Sequence, residues 1–149
     1  MAALRLQHAS VPMISGGNEK GRHFYGETLG LTEITPPEVL GTERFVWYTI
    51  GDSGDEIHLY TDDRGANSPG QHICIQVDDP VAVRQTLETR GYETSDTDAI
   101  PNRPRFFTHD PFGNRVEISA ILGPYAWTGL AVAPRPGPGV RPWRRLPRK

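Results

Sequence analysis

Three histidines and one glutamate have the types and spacing that suggest chemistry in this sequence. His8, His58, His72 and Glu117 each fall within a segment with the alternating pattern of a β-strand. In three of these segments the intervening positions hold Ile, Leu or Val, which places the ligand-type and aliphatic side chains on opposite faces. Imidazole nitrogens and a carboxylate oxygen suit a borderline divalent ion, and two histidines with one carboxylate leave coordination positions open. The pattern predicts a metal site, although any one of these residues alone is more often an ordinary surface or core side chain.

The elements that must position these residues occur twice along the chain. A strand, a helix, a glycine stop, a short strand and a hairpin follow one another in about residues 4–60 and again in 71–122. His8 then corresponds to His72, 64 residues later, and His58 to Glu117, 59 residues later. The repeated order βαβββ therefore predicts an α+β fold in which the four residues are related in pairs.

Local signals support these elements. Gly30 follows an apolar helical stripe as its C-terminal stop, and Asp78 or Asp79 precedes Pro80 at the start of a second helix. The turn Asp110-Pro111-Phe112-Gly113-Asn114 joins two apolar runs and predicts an antiparallel hairpin over Arg105 to Ile121. Strand character is also expected from Leu4 to Met13 and from Tyr92 to Thr94.

Composition limits the kind of protein. The 149 residues suit one domain, expected at 1–122, and a Pro/Gly/Arg-rich tail at 123–149. Residues 1–122 carry 18 acidic and 10 basic side chains, a poor nucleic-acid surface, and the basic tail is expected to be a flexible appendage. The single Cys74 and the lack of a membrane-length apolar run or signal pattern favour a cytoplasmic protein without a membrane partner.

Three stretches resemble a known family. HFYGETLGL at 23–31, GQHICIQVDD at 70–79 and HDPFGNRVEI at 109–118 are similar to the glyoxalase / bleomycin-resistance / dioxygenase group, the vicinal oxygen chelate superfamily. The resemblance covers about residues 4–122 and implies two paired βαβββ modules (the glyoxalase-like fold) whose curved mixed sheets enclose a metal and substrate cleft. It also implies that His8, His58, His72 and Glu117 hold a divalent ion, such as Fe, Zn, Ni, Co or Mn.

The sequence departs from the family at one position. In the glyoxalase I branch the place of His58 is usually taken by a glutamate, which puts glyoxalase I activity in doubt. His8, His72 and Glu117 instead match the His, His, Glu set of ring-cleaving dioxygenases, although those chains are commonly longer. His58 is then a fourth ligand, a base beside the metal, or a residue that binds substrate.

Two functions from different classes follow. The first is a metal-dependent lyase, isomerase or ring-cleaving dioxygenase that acts on a small oxygenated metabolite, with His58 or Glu56 as the proton carrier. Hairpin residues expected to border its cleft and bind substrate are Trp47, Tyr48, Tyr60, Arg105, Phe107 and His109, with Arg103 an alternative to Arg105 for a carboxylate. The second is a metal-free protein that sequesters a drug or metabolite, as bleomycin-resistance members do. A third hypothesis, a scaffold whose tail recruits partners, is supported only by the basic tail. The sequence leaves open whether one chain or a homodimer completes each cleft.

Overall fold

The computed structural model describes residues 3–66, 68–127 and 130–131. Its first half contains strand β1 (His8–Met13), helix α1 (Asn18–Gly21) with a π-helical continuation (Arg22–Thr28), β2 (Thr32–Ile34), two 3-10 turns (Glu38–Leu40 and Thr42–Arg44), β3 (Phe45–Ile50) and β4 (Asp55–Thr61). The second half contains β5 (His72–Gln76), α2 (Pro80–Thr89), β6 (Thr94–Ser95), β7 (Arg105–His109) and β8 (Arg115–Ser119). Two short strands, β9 (Ala126–Trp127) and β10 (Leu130–Ala131), follow.

Each half forms a four-stranded mixed sheet. The strand orders are β1-β4-β3-β2 and β5-β8-β7-β6, so that the second sheet repeats the topology of the first. In both, the first and last strands of the half pair in parallel, and the remaining pairs are antiparallel. The predicted α+β architecture of two βαβββ modules is confirmed.

The helices cover one face of each sheet. Leu59 and Tyr48 of the first sheet lie against α1 and the π-helical segment, and Leu87 of α2 belongs to the same core cluster as Ile75 and Ile118 of the second sheet. Because side chains alternate along a strand, neighbours of these residues point to the opposite face, which we call the distal face. The aliphatic residues thus anchor the helices and leave the ligand-type residues on the distal faces.

The helix signals are confirmed in detail. Of the two aspartates before α2, Asp79 is the N-cap, and its carboxylate accepts hydrogen bonds from the backbone N–H groups of Val81 and Ala82, both at 3.0 Å. Gly30 follows Leu29, the C-cap of the π-helical segment, and has φ of +74°, a conformation that residues with a side chain rarely adopt.

The turn after β7 joins the two halves. The Asp110 carboxylate accepts hydrogen bonds from the backbone N–H of Phe112 and Asn114, and from the buried hydroxyl of Tyr25 at 2.8 Å. The side-chain amide of Asn114 donates to the carbonyl oxygen of Pro12 at the end of β1, at 2.7 Å. The hairpin predicted at this turn therefore also fixes the position of the second module against the first.

Two strand boundaries differ from the prediction. Strand β1 begins at His8 and not at Leu4, because its partner β4 begins only at Asp55 and Arg5 instead donates to the carbonyl oxygens of Ser53 and Gly54. Strand β6 begins at Thr94, where its pairing with Thr108 of β7 starts, and the ring of Tyr92 before it packs edge-on against Phe24.

The tail is described only in part. Its β9 and β10 pair antiparallel in a separate two-stranded sheet, and residues 128–129 and 132–149 lie outside the described part, so the domain boundary at 122 stays a prediction. Among the described residues, no helix has the length and apolar character needed to cross a membrane.

Candidate functional site

The first sheet presents a stack of three rings on its distal face. The imidazole of His58 lies between the indole of Trp47, with ring centroids 3.7 Å apart, and the imidazole of His8, at 4.3 Å. Trp47 and His58 face each other directly across β3 and β4. Burial between the two rings leaves His58 only 8% exposed, so its orientation is fixed by packing.

Hydrogen bonds assign one nitrogen on each of these imidazoles. Nε2 of His58 donates to the Glu56 carboxylate at 2.7 Å, and this hydrogen bond is the main reason that the pKa of Glu56 lies below its usual range. Nδ1 of His8 lies 2.6 Å from the amide oxygen of Gln7. The other ring nitrogen of each histidine is left with its lone pair when the ring is neutral.

The second sheet presents His72 and Glu117 on its distal face. Nε2 of His72 lies 3.1 Å from one oxygen of Glu117, and the guanidinium of Arg105 lies 3.1 Å from the other. Arg105 also donates to the hydroxyl of Thr97 at 2.9 Å. Glu117 is buried, and these two contacts are the hydrogen-bond and ion-pair partners of its carboxylate.

An aromatic ring organises the cations beside Glu117. Phe107, directly across from Glu117 in β7, has the guanidinium of Arg115 at 3.5 Å from its ring centroid and that of Arg105 at 5.5 Å. The ring of His72 meets it edge-on at 5.2 Å. Phe107 is buried, and cation–π contacts hold both guanidinium groups above the distal face.

The four predicted metal ligands lie together as two pairs and not as one centre. His8 contacts His58, and His72 contacts Glu117, but within the described residues no three His, Cys, Asp or Glu side chains converge on one point. The four residues of one chain thus form two separate pairs, and their role as ligands of one ion stays a prediction. Strand alternation fixes the face on which a side chain lies, but not the distance between two separate sheets.

A cleft of about 860 Å³ is nevertheless lined by residues of both halves. It runs between β1 and β5, and its lining includes His8, Glu56, His72 and Cys74. Strands β1 and β5 are both at the edge of their sheets, so their outer backbone groups do not take part in a ladder.

The predicted substrate-binding residues divide by strand face. Trp47, Phe107 and His109 lie on the distal faces, as does the half-buried Tyr60, which is two positions from His58. Tyr48 does not border a cleft: it is 0% exposed on the helix side and lies 5.9 Å from Tyr25, so this prediction is corrected. Adjacent strand residues cannot both face a cleft, and Trp47 occupies that face.

Two predicted cations already have partners. Arg105 is held by Glu117 and Thr97, and Arg103 stacks on Tyr125 and donates to the carbonyl oxygens of Asn102 and Gly123. The cation that sequence reasoning missed is Arg115, although its position two residues before Glu117 places it on the same face of β8.

The fold, with its two repeated modules, can be compared with known protein families. A family description, the Glyoxalase/Bleomycin resistance protein/Dioxygenase superfamily, matches residues 5–118. The chain belongs to this superfamily. No match was found among curated protein sequences.

Solved structures agree with this assignment. A putative glyoxalase family protein from Bacillus anthracis is 32% identical, with a TM-score of 0.74 over 81% of this chain and 98% of that one. TnmS3, an antibiotic binding protein from Streptomyces sp. CB03234, is 23% identical, with a TM-score of 0.65 over 81% and 98% of the two chains. Lactoylglutathione lyase from Agrobacterium tumefaciens is 17% identical, with a TM-score of 0.60 over 80% and 96%. The last two are similar to this chain in fold alone.

Proposed function

We propose that this chain is a divalent-metal-dependent enzyme that acts on a small oxygenated metabolite, by lyase, isomerase or dioxygenase-type chemistry. The observation that carries the proposal is the pair of His72 and Glu117. Nδ1 of His72 lies 3.2 Å from the carbonyl oxygen of Gly70, which can only accept, so Nδ1 carries the hydrogen. When the ring is neutral, the lone pair of Nε2 points toward the carboxylate 3.1 Å away. Two electron-pair donors in contact need a proton or a cation between or beside them.

The same arrangement recurs at the other pair. His8 and His58 each have one ring nitrogen within hydrogen-bond distance of a side-chain oxygen, from Gln7 and Glu56. Histidines that ligate metals typically donate their second nitrogen to such an oxygen, which fixes the tautomer and raises the basicity of the ligating nitrogen. Three imidazoles and one carboxylate therefore fit a divalent transition metal in donor chemistry, and His8, His58, His72 and Glu117 would hold it.

A second copy of the chain would complete this donor set. Within the described part of one copy the donors come together two at a time, whereas catalytic metal sites of this kind usually use three or more protein ligands. In a two-fold dimer the His8/His58 pair of one copy meets the His72/Glu117 pair of the other, which gives two equivalent sites.

The residues around the pairs have separate roles in this proposal. The ion, when bound, would polarise vicinal oxygens of the substrate and stabilise developing negative charge. Glu56 accepts the hydrogen bond from Nε2 of His58, so its carboxylate is placed to take up or return a substrate proton. Trp47 stacks on His58 and Phe107 meets His72 edge-on, so each aromatic ring holds one ligand side chain in place.

Metal stoichiometry tests the function. Protein purified without a metal-affinity tag is expected to bind close to one ion per chain, and Glu117→Gln is expected to lose most of it while remaining folded. The matched control is Glu38→Gln, which removes the same charge at an exposed position. Equal metal content in all three proteins, or none in the wild type, would refute the proposal.

Complementation tests the dimer. One variant carries His8→Ala and His58→Ala, and another carries His72→Ala and Glu117→Gln; each alone is expected to bind no metal. When the two are unfolded together and refolded, half of the dimers are mixed and each mixed dimer has one intact site, so about a quarter of the sites recover. No recovery, with mixed dimers present, would place the complete site within one chain.

A metal-free binding protein is the second candidate. Arg105 already neutralises Glu117 in the way that an ion would, and a solved structure of similar fold is named an antibiotic binding protein. This function predicts that metal content stays negligible in the wild type and that chelators leave ligand binding unchanged.

A further inference from the structure

We propose that Arg115 is the residue that binds the anionic group of the substrate, a carboxylate or a phosphate, on the distal face of the second sheet. The inference deepens the proposed function, because it places the anion next to the His72/Glu117 pair. It rests on the position, packing and charge of Arg115.

Strand register puts Arg115 in the middle of a row of basic side chains. It lies across from His72 in the parallel pair β5/β8 and across from His109 in the antiparallel pair β7/β8. Directly paired residues in a sheet have neighbouring side chains on the same face. Three adjacent strands thus present imidazole, guanidinium and imidazole side by side.

Packing fixes the Arg115 side chain without consuming its charge. Its guanidinium lies flat enough over Phe107 to come within 3.5 Å of the ring centroid. Among the described residues Arg115 takes part in no ion pair, whereas the neighbouring Arg105 is paired with Glu117. A planar guanidinium held by an aromatic ring and lacking a carboxylate partner is preorganised for bidentate contact with an anion.

The local charge favours an anion at this place. On the strands of the second sheet, Glu117 is the only distal-face carboxylate, and Arg105 offsets its charge, so Arg115 remains as excess positive charge. The distal face of the first sheet has no Arg or Lys on its strands and carries Glu56. The two faces therefore differ in sign, and the anionic end of a substrate is directed to the second sheet.

The placement also limits the substrate class. Arg115 and His72 contact the same Phe107 ring, so a group bound to Arg115 is close to the His72/Glu117 pair. A substrate that uses both is a small organic acid or phosphate ester whose oxygenated carbon is only a few bonds from its anionic group.

Binding of simple anions to the metal-free protein tests the inference. The probes are benzoate, phenyl phosphate and the neutral benzamide, titrated into isotope-labelled protein while amide shifts of β5, β7 and β8 are followed by NMR. We expect at least one anion to bind at these strands about tenfold or more tightly than benzamide, and Arg115→Met to weaken it by a similar factor. The more tightly bound probe identifies the anion as carboxylate or phosphate.

The matched control is Arg84→Met. Arg84 also stacks on a phenylalanine of β7, with its guanidinium 4.6 Å from the Phe106 centroid, but on the helix side of the sheet. Its replacement is expected to leave anion affinity unchanged. Arg115→Lys, which retains the charge but not the planar group, should give an intermediate affinity and keeps the test decisive if Arg115→Met folds poorly.

Three results would overturn the inference: benzamide binding as tightly as the anions, an unchanged affinity in Arg115→Met, or an equal loss in Arg84→Met. Metal content separates this failure from that of the proposed function. Wild type and Arg115→Met are both expected to retain the ion, since Arg115 is not a ligand. If the protein binds metal but Arg115→Met leaves anion affinity unchanged, only this inference is refuted. If anion binding requires Arg115 but the protein binds no metal, the proposed enzyme function is refuted and the protein is an anion-binding protein.

Discussion

The imidazole of His58 lies parallel to the indole of Trp47, with the planes 2° apart and the ring centroids 3.7 Å apart. A ring contact of this kind joins a proposed metal ligand to the main intrinsic fluorophore of the first sheet. The hydrogen bond from Nε2 of His58 to Glu56 leaves Nδ1 as the nitrogen available for an ion. Events at His58 are therefore expected to be visible in the emission of Trp47.

Cobalt binding should quench Trp47. An open-shell ion bound to His58 is within a few ångströms of the indole, close enough for efficient quenching, whereas Zn²⁺ lacks low-lying d–d states and should quench little. Titration of metal-free protein with Co²⁺ and Zn²⁺ measures this, and Trp47→Phe identifies the share of emission that comes from the other two tryptophans. Stoichiometric Co²⁺ binding with unchanged Trp47 emission would show that His58 is not a ligand.

Removal of the Tyr25 hydroxyl should destabilise the junction between the halves. Tyr25 is 0% exposed and donates to Asp110, itself buried, at 2.8 Å. Tyr25→Phe leaves a carboxylate oxygen short of a donor and is expected to cost about 1–3 kcal/mol in the free energy of unfolding, measured by urea denaturation. Tyr92→Phe, which removes the half-buried hydroxyl that contacts His23, should cost less than about 1 kcal/mol. Equal losses of unfolding free energy in the two variants would mean that the buried Tyr25–Asp110 hydrogen bond stabilises the protein no more than the half-buried one.

A methyl group at Gly17 should disturb the same junction. A Cβ there would lie 2.6 Å from the ring of Phe112 and 2.9 Å from the carbonyl oxygen of Ile14. Since the Ile14 carbonyl belongs to the backbone and the half-buried Phe112 ring packs against the core, Gly17→Ala is expected to lower stability by about 1–3 kcal/mol. The control is Gly26→Ala, whose Cβ would meet the Tyr48 ring at 3.6 Å and the carbonyl oxygen of Leu31 at 4.0 Å. Both are ordinary contacts, so this change should be neutral or slightly stabilising. A neutral Gly17→Ala would show that the halves pack more loosely than this contact implies.

The alternation of side chains along each strand accounts for most of the predicted features that the structure confirms. Once β4 and β8 were assigned, Ile57 and Ile118 had to face the helices, and His58 and Glu117 the opposite side. The repeat then predicted that the second sheet copies the first. Such local rules act within one element or between adjacent strands, where the geometry of the backbone leaves few alternatives.

The arrangement between the two sheets was beyond these rules. The separation of the His8/His58 pair from the His72/Glu117 pair depends on contacts distant in sequence, such as that of Tyr25 with Asp110. The ion pairs could not be predicted from the sequence either, because a strand pattern does not indicate that Arg105 forms a salt bridge with Glu117. Tyr48 shows that the alternation rule itself has to be applied to every residue of a hairpin, because an aromatic type alone does not place a side chain in a cleft.

Cys74 offers a test of the environment around Glu117 that does not depend on metal. The two residues face each other across β5 and β8. Cys74 as a whole is exposed, but partial burial of its thiol, together with the charge of Glu117, raises the pKa of Cys74 to about 11. Because the thiolate is the reactive form, alkylation of the metal-free protein by iodoacetamide at pH 7 should be roughly a hundredfold slower than that of an ordinary cysteine. The rate should rise about tenfold per pH unit up to about pH 10, without an earlier plateau. Glu117→Gln removes the negative charge and should speed the reaction, while the exposed Glu38→Gln should not. A rate at pH 7 equal to that of an unperturbed thiol would mean that the Cys74 side chain is not held beside Glu117 on the distal face.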